Sequence, residues 1–193
     1  MHYCQLRPFS RVAPAALFAV TVLVFAGCEE PEIKKYTAAK EKSTVDKSSR
    51  LAGYKAPDDW VRMSKVMSPA VAGFEIGEGK KKVTVTLTRF IDEGGLVANI
   101  DRWRKQIGLP PGNEEQNRKD IRYLNIDGEK TPYVDLANPG KADSDRILGV
   151  IAKPGSTTWF FKMYGPPDQV ELHKAAFEQF VESVRFAGSG ANQ

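Results

Sequence analysis

The stretch RILGVIAKPGSTTWFFKMY, residues 146–164, decides the fold. Two runs rich in β-branched and aromatic residues, 146–152 and 157–164, flank the tetrapeptide KPGS. Such residues favour strands, and Pro followed by Gly favours a tight turn between them. The stretch is therefore predicted to form a β-hairpin. Its second strand is apolar on both faces, which predicts a central position in a sheet that is covered on both sides.

A second hairpin is predicted immediately upstream. Residues 121–126 and 130–136 flank Asp127 and Gly128, a dipeptide that suits a type I′ turn because such a turn needs two positive φ angles. Pro132 has no backbone N–H to donate to a ladder, so it predicts that the second strand of this hairpin lies at a sheet edge.

The chain before this hairpin contributes further strands. Residues 83–88 alternate valine or leucine with threonine, the period of a strand with one buried face and one wet face. An antiparallel sheet is the natural host for such a strand. An earlier strand-like region begins at Trp60 and runs through Met67 to Phe74.

Two helices are predicted beside these strands. The first covers residues 96–107 and is ended by Gly108 and Pro110; its apolar stripe is formed by Leu96, Val97, Ile100, Trp103 and Ile107. Pro166 and Pro167 open the second, and its apolar face is formed by Val170, Phe177, Phe180, Val181 and Val184. The order of the elements predicts the α+β class, with an antiparallel β-sheet flanked by two main helices.

The N-terminus has the order of a secretory signal. Residues 1–11 are basic, and residues 12–25 are apolar. This apolar segment is too short for a transmembrane helix, which needs about 20 residues. It ends in Phe25-Ala26-Gly27-Cys28, which resembles the lipobox read by lipoprotein signal peptidase, with Phe25 where Leu is usual. We predict cleavage before Cys28 and attachment of lipid to Cys28. An uncleaved membrane anchor and a soluble secreted protein cut elsewhere are the alternatives.

The predicted organisation follows from this signal. Residues 1–27 form the signal peptide, 28–50 the lipidated Cys28 with a charged flexible tether, 51–188 a single α+β domain, and 189–193 a frayed tail. Glu29 follows Cys28 where some diderm bacteria read Asp as an inner-membrane retention signal. The expected location is therefore the cell envelope, with the outer membrane facing the periplasm favoured over the inner membrane.

Composition excludes several chemistries. The chain has 28 Lys and Arg against 24 Asp and Glu, and removal of Arg7 and Arg11 with the signal peptide leaves 26 against 24. This balance does not favour a nucleic-acid partner. Cleavage before Cys28 leaves one cysteine, which is lipidated, and one histidine, His173. No Cys/His zinc site, thiol nucleophile pair or bis-His haem site can be built from them, and no cofactor or metal is predicted.

The predicted helix over residues 96–107 carries the candidate ligand site. Asn99, Arg102 and Gln106 share one polar face, and Arg104 of the same helix is a fourth candidate. Amides and guanidinium groups on one face suit a carboxylate or a phosphate. The alternative is structural: the same groups cap a neighbouring loop or bind strand-end carbonyls.

Other side chains have two interpretations each. The aromatic residues Trp60, Trp103, Trp159, Tyr123, Tyr133 and Tyr164 either line a groove or pack in the core. The acids Asp92, Glu93, Asp143 and Asp145 either bind calcium, act as a carboxylate pair or are simply solvated, and their spacing matches no EF-hand. His173 is expected to be exposed.

Four segments resemble a family of uncharacterised bacterial lipoproteins. They are PDDW at 57–60, ANIDRWRKQIGL at 98–109, WFFKMYGP at 159–166 and AFEQFVESVRF at 176–186. The last two are also distantly similar to the end of PsbP-like domains. That resemblance implies an α/β/α sandwich and an accessory or assembly role without enzymatic activity.

Three functional hypotheses follow. The first is a non-enzymatic, membrane-anchored binding or assembly module of the periplasm, with an envelope protein as partner. The second is a receptor for a small anionic ligand that uses Asn99, Arg102, Arg104 and Gln106. The third is a carboxylate-based hydrolase of envelope glycans, which needs two acids about 5 to 9.5 Å apart in a cleft. The oligomeric state is left open.

Lipidation is tested by labelling cells with a palmitate analogue. We expect the wild-type chain to take up the label and Cys28→Ala to take up none, because the Cys28 sulfur is the acceptor. Cys4→Ala serves as control and keeps the label, since Cys4 is removed with the signal peptide. Label on Cys28→Ala would overturn the prediction.

Overall fold

The structure, a computed structural model, describes residues 50–91, 94–141 and 143–187. The predicted signal peptide, Cys28, the tether up to residue 49, Asp92, Glu93 and the tail lie outside these residues. The strands are β1 Leu51–Gly53, β2 Val61–Arg62, β3 Ala70–Ile76, β4 Val83–Ile91, β5 Ile121–Ile126, β6 Glu129–Leu136, β7 Arg146–Ala152, β8 Thr157–Gly165 and β9 Arg185–Phe186. The helices are α1 Leu96–Gln106, α2 Glu114–Asp120 and α3 Pro167–Glu182.

Seven strands form one antiparallel sheet in the order β2-β3-β4-β8-β7-β6-β5, and β1 pairs with β9 in a separate two-stranded sheet. The predicted α+β class is confirmed. The strand β8 lies between β4 and β7, as its apolar sequence predicts, and Asp127 and Gly128 have the positive φ angles of 53° and 85° that the hairpin turn needs.

Helices cover both faces of the sheet. On one face Trp159, Phe161 and Met163 of β8 pack in the same core as α3, and on the other face Phe160 packs in a second core with α1. Successive side chains of a strand point to opposite faces, so β8 contributes apolar side chains to both cores. Each fully buried apolar side chain of this kind contributes about 1.5–3 kcal/mol. The arrangement is an α/β/α sandwich.

The helix α1 approaches the backbone of β7 closely. A Cβ atom at Gly149 would overlap the ring of Trp103, so this contact requires glycine. Ile100, Trp103 and Ile107 are buried as predicted, but Val97 is 44% exposed and does not belong to the buried stripe. Asn99 and Arg104 are buried instead.

Two further expectations differ from the structure. The region predicted as strand-like from Trp60 to Phe74 consists of two strands, β2 and β3, because the chain reverses direction between them and the two strands pair antiparallel. The strand β6, which contains Pro132, is not at an edge: it lies between β5 and β7. Within the described residues, no helix combines the length and the apolar content needed to cross a bilayer.

Candidate functional site

A cleft opens at the end of the sheet where the turn between β5 and β6 faces the turn between β7 and β8. Its volume is about 590 Å³. It is lined by residues 126–132 of the first hairpin, residues 151–155 of the second, Leu96 at the start of α1, and Phe186 of β9.

Pro132 explains why the sheet opens here. Its pair with Tyr123 is not hydrogen-bonded, because hydrogen-bonded and non-hydrogen-bonded pairs alternate from the turn pair Ile126–Glu129. The Pro132 nitrogen therefore points toward β7, where it has no hydrogen to donate. Pairing between β6 and β7 accordingly ends at Tyr133–Val150. The next residue of β7 is Ile151, whose carbonyl would accept the N–H of residue 132 if that residue were not proline.

Both cores of the sandwich contribute to the cleft, because the strands separate. Leu96 and Ile151 belong to the core beside α1, whereas Ile126, Ala152 and Phe186 belong to the core beside α3. Four of these five side chains are at most 7% exposed. The walls of the cleft are therefore apolar and firmly packed.

The rim of the cleft is charged. Lys130 and Lys153 are exposed, and the Lys130 ammonium lies 4.6 Å from the centre of the Tyr123 ring. Asp127 is held by the protein itself: its Oδ2 accepts the N–H of Phe186 at 2.9 Å, and its Oδ1 lies 3.8 Å from Arg185 Nε. The rim thus combines two lysines with two acids, the exposed Glu129 and the fixed carboxylate of Asp127.

An ion-pair network holds the opposite end of the β6–β7 pair closed. The Arg146 guanidinium donates to both oxygens of Asp135 at 2.7 Å, and the Lys174 ammonium of α3 donates to Asp135 Oδ2 at 2.6 Å. A second arm joins Arg146 to Glu171 of α3 at 2.6 Å. Bidentate and charge-assisted bonds of this kind are the stronger ones. We call this group the Asp135 network.

The network shifts the pKa of Asp135. Burial alone would raise this pKa, but hydrogen bonds from Arg146 and Lys174 and their positive charges outweigh burial and lower it. The hydrogen bonds that Arg146 donates to Asp135 raise the pKa of Arg146 in turn. Both groups are therefore charged at neutral pH, and α3 is pinned to the paired part of β6 and β7.

The four residues predicted on the polar face of α1 do not form one surface. Asn99 is 3% exposed; its Nδ2 donates to the Gly95 carbonyl at 3.2 Å, and its Oδ1 accepts from Arg102 Nη1 at 2.7 Å. Arg104 is also 3% exposed; its Nε donates to the Pro110 carbonyl at 2.9 Å, and its Nη1 pairs with Asp120 at 2.7 Å.

The contact of Arg104 with the Pro110 carbonyl is the loop contact of the structural alternative, whereas Asn99 binds the carbonyl of Gly95 at the start of its own helix. Arg102 and Gln106 are exposed, and Gln106 Oε1 accepts from Lys162 Nζ at 3.1 Å. A ligand site at the four predicted residues stays a prediction, with only Arg102 and Gln106 accessible to solvent.

None of the other candidate residues that the structure describes lines the cleft. Trp60, Trp103, Trp159 and Tyr133 are buried in the cores. Asp145 binds the hydroxyl of Tyr164 and raises the pKa of Tyr164 to about 12. His173, on α3, is half-buried and not exposed as expected. Among the described residues, no group of three or more His, Cys, Asp or Glu side chains is placed to hold a metal ion.

Sequence reasoning missed the cleft. Of the residues that line it, only Leu96 belongs to the helix that was singled out. The available signal was Pro132, a proline within a predicted strand. A proline within a strand predicts a sheet edge, whereas Pro132 marks the point at which the interior strands β6 and β7 part.

No protein-family model matches the chain, and no curated protein matches it. Solved structures do. LpqN of Mycobacterium tuberculosis, described as involved in cell envelope biogenesis, has 12% identity and a TM-score of 0.44, over 70% of this chain and 82% of LpqN. The cyanobacterial PsbP (CyanoP) of Synechocystis sp. PCC 6803 has 13% identity and a TM-score of 0.41, over 75% of this chain and 96% of CyanoP.

A third match is PA94 of Pseudomonas aeruginosa, a protein of unknown function, with 11% identity and a TM-score of 0.38, over 70% of this chain and 96% of PA94. Similarities at this level assign neither a family nor a function to the chain. The observed sandwich is the architecture that the PsbP-like resemblance implies, and the lipoprotein-family resemblance stays a prediction.

The Asp135 network is tested by Asp135→Asn. We expect a loss of about 2–3 kcal/mol of unfolding free energy at pH 7, because the change removes the carboxylate that Lys174 pairs with and leaves Arg146 with only the exposed Glu171. The pKa of Asp135 is lower in the folded state, so this stability is present above its ordinary value of 3.8 and is lost as pH falls below it. The two proteins should converge in acid.

Urea unfolding at a series of pH values measures both effects. Glu114→Gln is the matched control: it breaks an exposed pair with Arg118 within α2, which is worth at most about 0.5 kcal/mol. If Asp135→Asn and Glu114→Gln cost the same at pH 7, the network does not hold the β6–β7 pair.

Proposed function

We propose that this chain is a lipid-anchored binding module of the cell envelope that takes a ligand into the cleft between β6 and β7. The observation that carries the proposal is the cleft itself. Its volume of about 590 Å³ lies within the range of small-molecule sites, and its apolar walls and charged rim match their usual composition.

The lining indicates the kind of ligand. An apolar body fits between Leu96, Ile151 and Phe186, where its surface is removed from water. Pro132 has no N–H to offer the Ile151 carbonyl, so a hydrogen-bond donor on the ligand can take that place. The two rim lysines, Lys130 and Lys153, remain in water and can meet a negative group at the mouth.

The anchor is the second part of the proposal. Lipid on Cys28, followed by a charged tether of about 20 residues, would keep the domain within reach of the membrane surface. A module held there has a high effective concentration toward lipids and membrane-bound partners. On this account the protein works by binding and presentation in the envelope, on the periplasmic face of the outer membrane, and not by catalysis.

The cleft is tested with a library of small apolar compounds and the purified chain. Compounds that raise the melting temperature of the wild type should lose that effect with Leu96→Glu, because the variant places a charge in the apolar wall. A ligand at 100 times its Kd adds about 2.7 kcal/mol of stability, a shift that is readily measured.

Leu172→Glu is the matched control, since Leu172 is 71% exposed on α3 and lies outside the cleft. The compounds that stabilise the wild type should raise the melting temperature of this variant as well. Hits that stabilise the wild type and Leu96→Glu equally would overturn the proposal that the cleft is the binding site.

A further inference from the structure

One row of the sheet, on the face that α1 covers, has unusual composition. The aligned residues across β3, β4, β8 and β7 are Gly73, Thr86, Lys162 and Gly149. Side chains of directly opposite residues lie about 4.5–5.5 Å apart at Cβ, so Thr86 and Lys162 are immediate neighbours. The two outer positions have no side chain.

Other parts of the chain cover the two glycines. A Cβ at Gly73 would lie 2.8 Å from Met63 Sδ, and a Cβ at Gly149 would overlap the ring of Trp103. Thr86 and Lys162, between them, are only half-buried. Neighbouring strands are about 4.8 Å apart, so the backbones of β3 and β7, which carry the two glycines, are about 14 Å from each other. The result is a trough with Thr86 and Lys162 on its floor, Met63 on one side and Trp103 on the other.

The Lys162 ammonium in this trough has neutral neighbours. It donates to Gln106 Oε1 at 3.1 Å and lies 5.7 Å from the centre of the Tyr164 ring. Within the described part of the chain, no carboxylate lies within 4.0 Å of it. Burial lowers the pKa of Lys162. A half-buried cation with only neutral contacts gains from an anion that enters beside it.

Further donors converge on the same place. Because Gln106 Oε1 accepts the ammonium, its Nε2 group is left to donate, and Thr86 offers a hydroxyl from the neighbouring strand. We propose that Thr86, Gln106 and Lys162 form a binding site for a small oxyanion, either a carboxylate or a phosphate. The trough shares no residue with the cleft between β6 and β7, so the two proposals stand independently.

The site is tested by titrating the full chain with sodium phosphate and with sodium acetate, each against sodium chloride at equal ionic strength. The readouts are the melting temperature and the amide NMR shifts of Thr86, Gln106 and Lys162. We expect a saturable response to at least one oxyanion. The comparison of phosphate with acetate shows which of the two groups the trough prefers.

Lys162→Met should weaken oxyanion binding by about tenfold or more, because it removes a charge-assisted hydrogen bond. Without an oxyanion this variant should melt no lower than the wild type, since it replaces a half-buried charge with an apolar side chain of similar length. Lys105→Met, an exposed position on α1, is the control and keeps the response.

Thr86→Val provides an independent check if Lys162→Met does not fold, because it removes one donor and keeps the shape of the side chain. It should weaken binding several-fold. A wild type that responds to oxyanions no more than to chloride, or variants at both positions that respond as the wild type does, would overturn the site. Neither result affects compound binding in the cleft.

Discussion

Pro132 has no backbone hydrogen to donate, and it occupies the one position of β6 from which the ladder to β7 would otherwise continue. On one side of it the strands are paired and fastened to α3 by the Asp135 network. On the other side they part and expose the boundary between the two cores. A proline in an interior strand is tolerated because its nitrogen faces the open end of the pair. The same constraint therefore accounts for both the packing and the cleft.

The second structural condition is a central strand that is apolar on both faces. Because β8 alternates large side chains between two cores, each face of the sheet needs a helix, and α1 and α3 supply them. The cover is unequal. The helix α1 rests on β7 through Trp103 and Gly149 and leaves the threonine row of β4 half-buried. The cleft and the trough both lie where α1 no longer covers the sheet completely.

Local sequence patterns predicted the elements well and their neighbours less well. The strand over 83–88, the turn at Asp127 and Gly128, and the buried face of α3 follow from periodicity and backbone preference, which act over a few residues. The interior position of β6 and the pairing of β1 with β9 depend on contacts distant in sequence. The burial of Asn99 and Arg104 depends on the Gly95 and Pro110 carbonyls, which no periodicity indicates. The cleft was missed for the same reason, since it forms between two hairpins.

The central claim is that the missing donor at Pro132 opens the sheet, and amide hydrogen exchange tests it most directly. The N–H groups of Lys130 and Val134 both point from β6 toward β7, on opposite sides of Pro132. The account predicts fast exchange at Lys130 and slow exchange at Val134 in the wild type. It also predicts that Pro132→Val, which restores the donor in a residue that favours strands, slows exchange at Lys130. Equal protection of Lys130 and Val134 in the wild type, or a Lys130 rate unchanged by Pro132→Val, would contradict it.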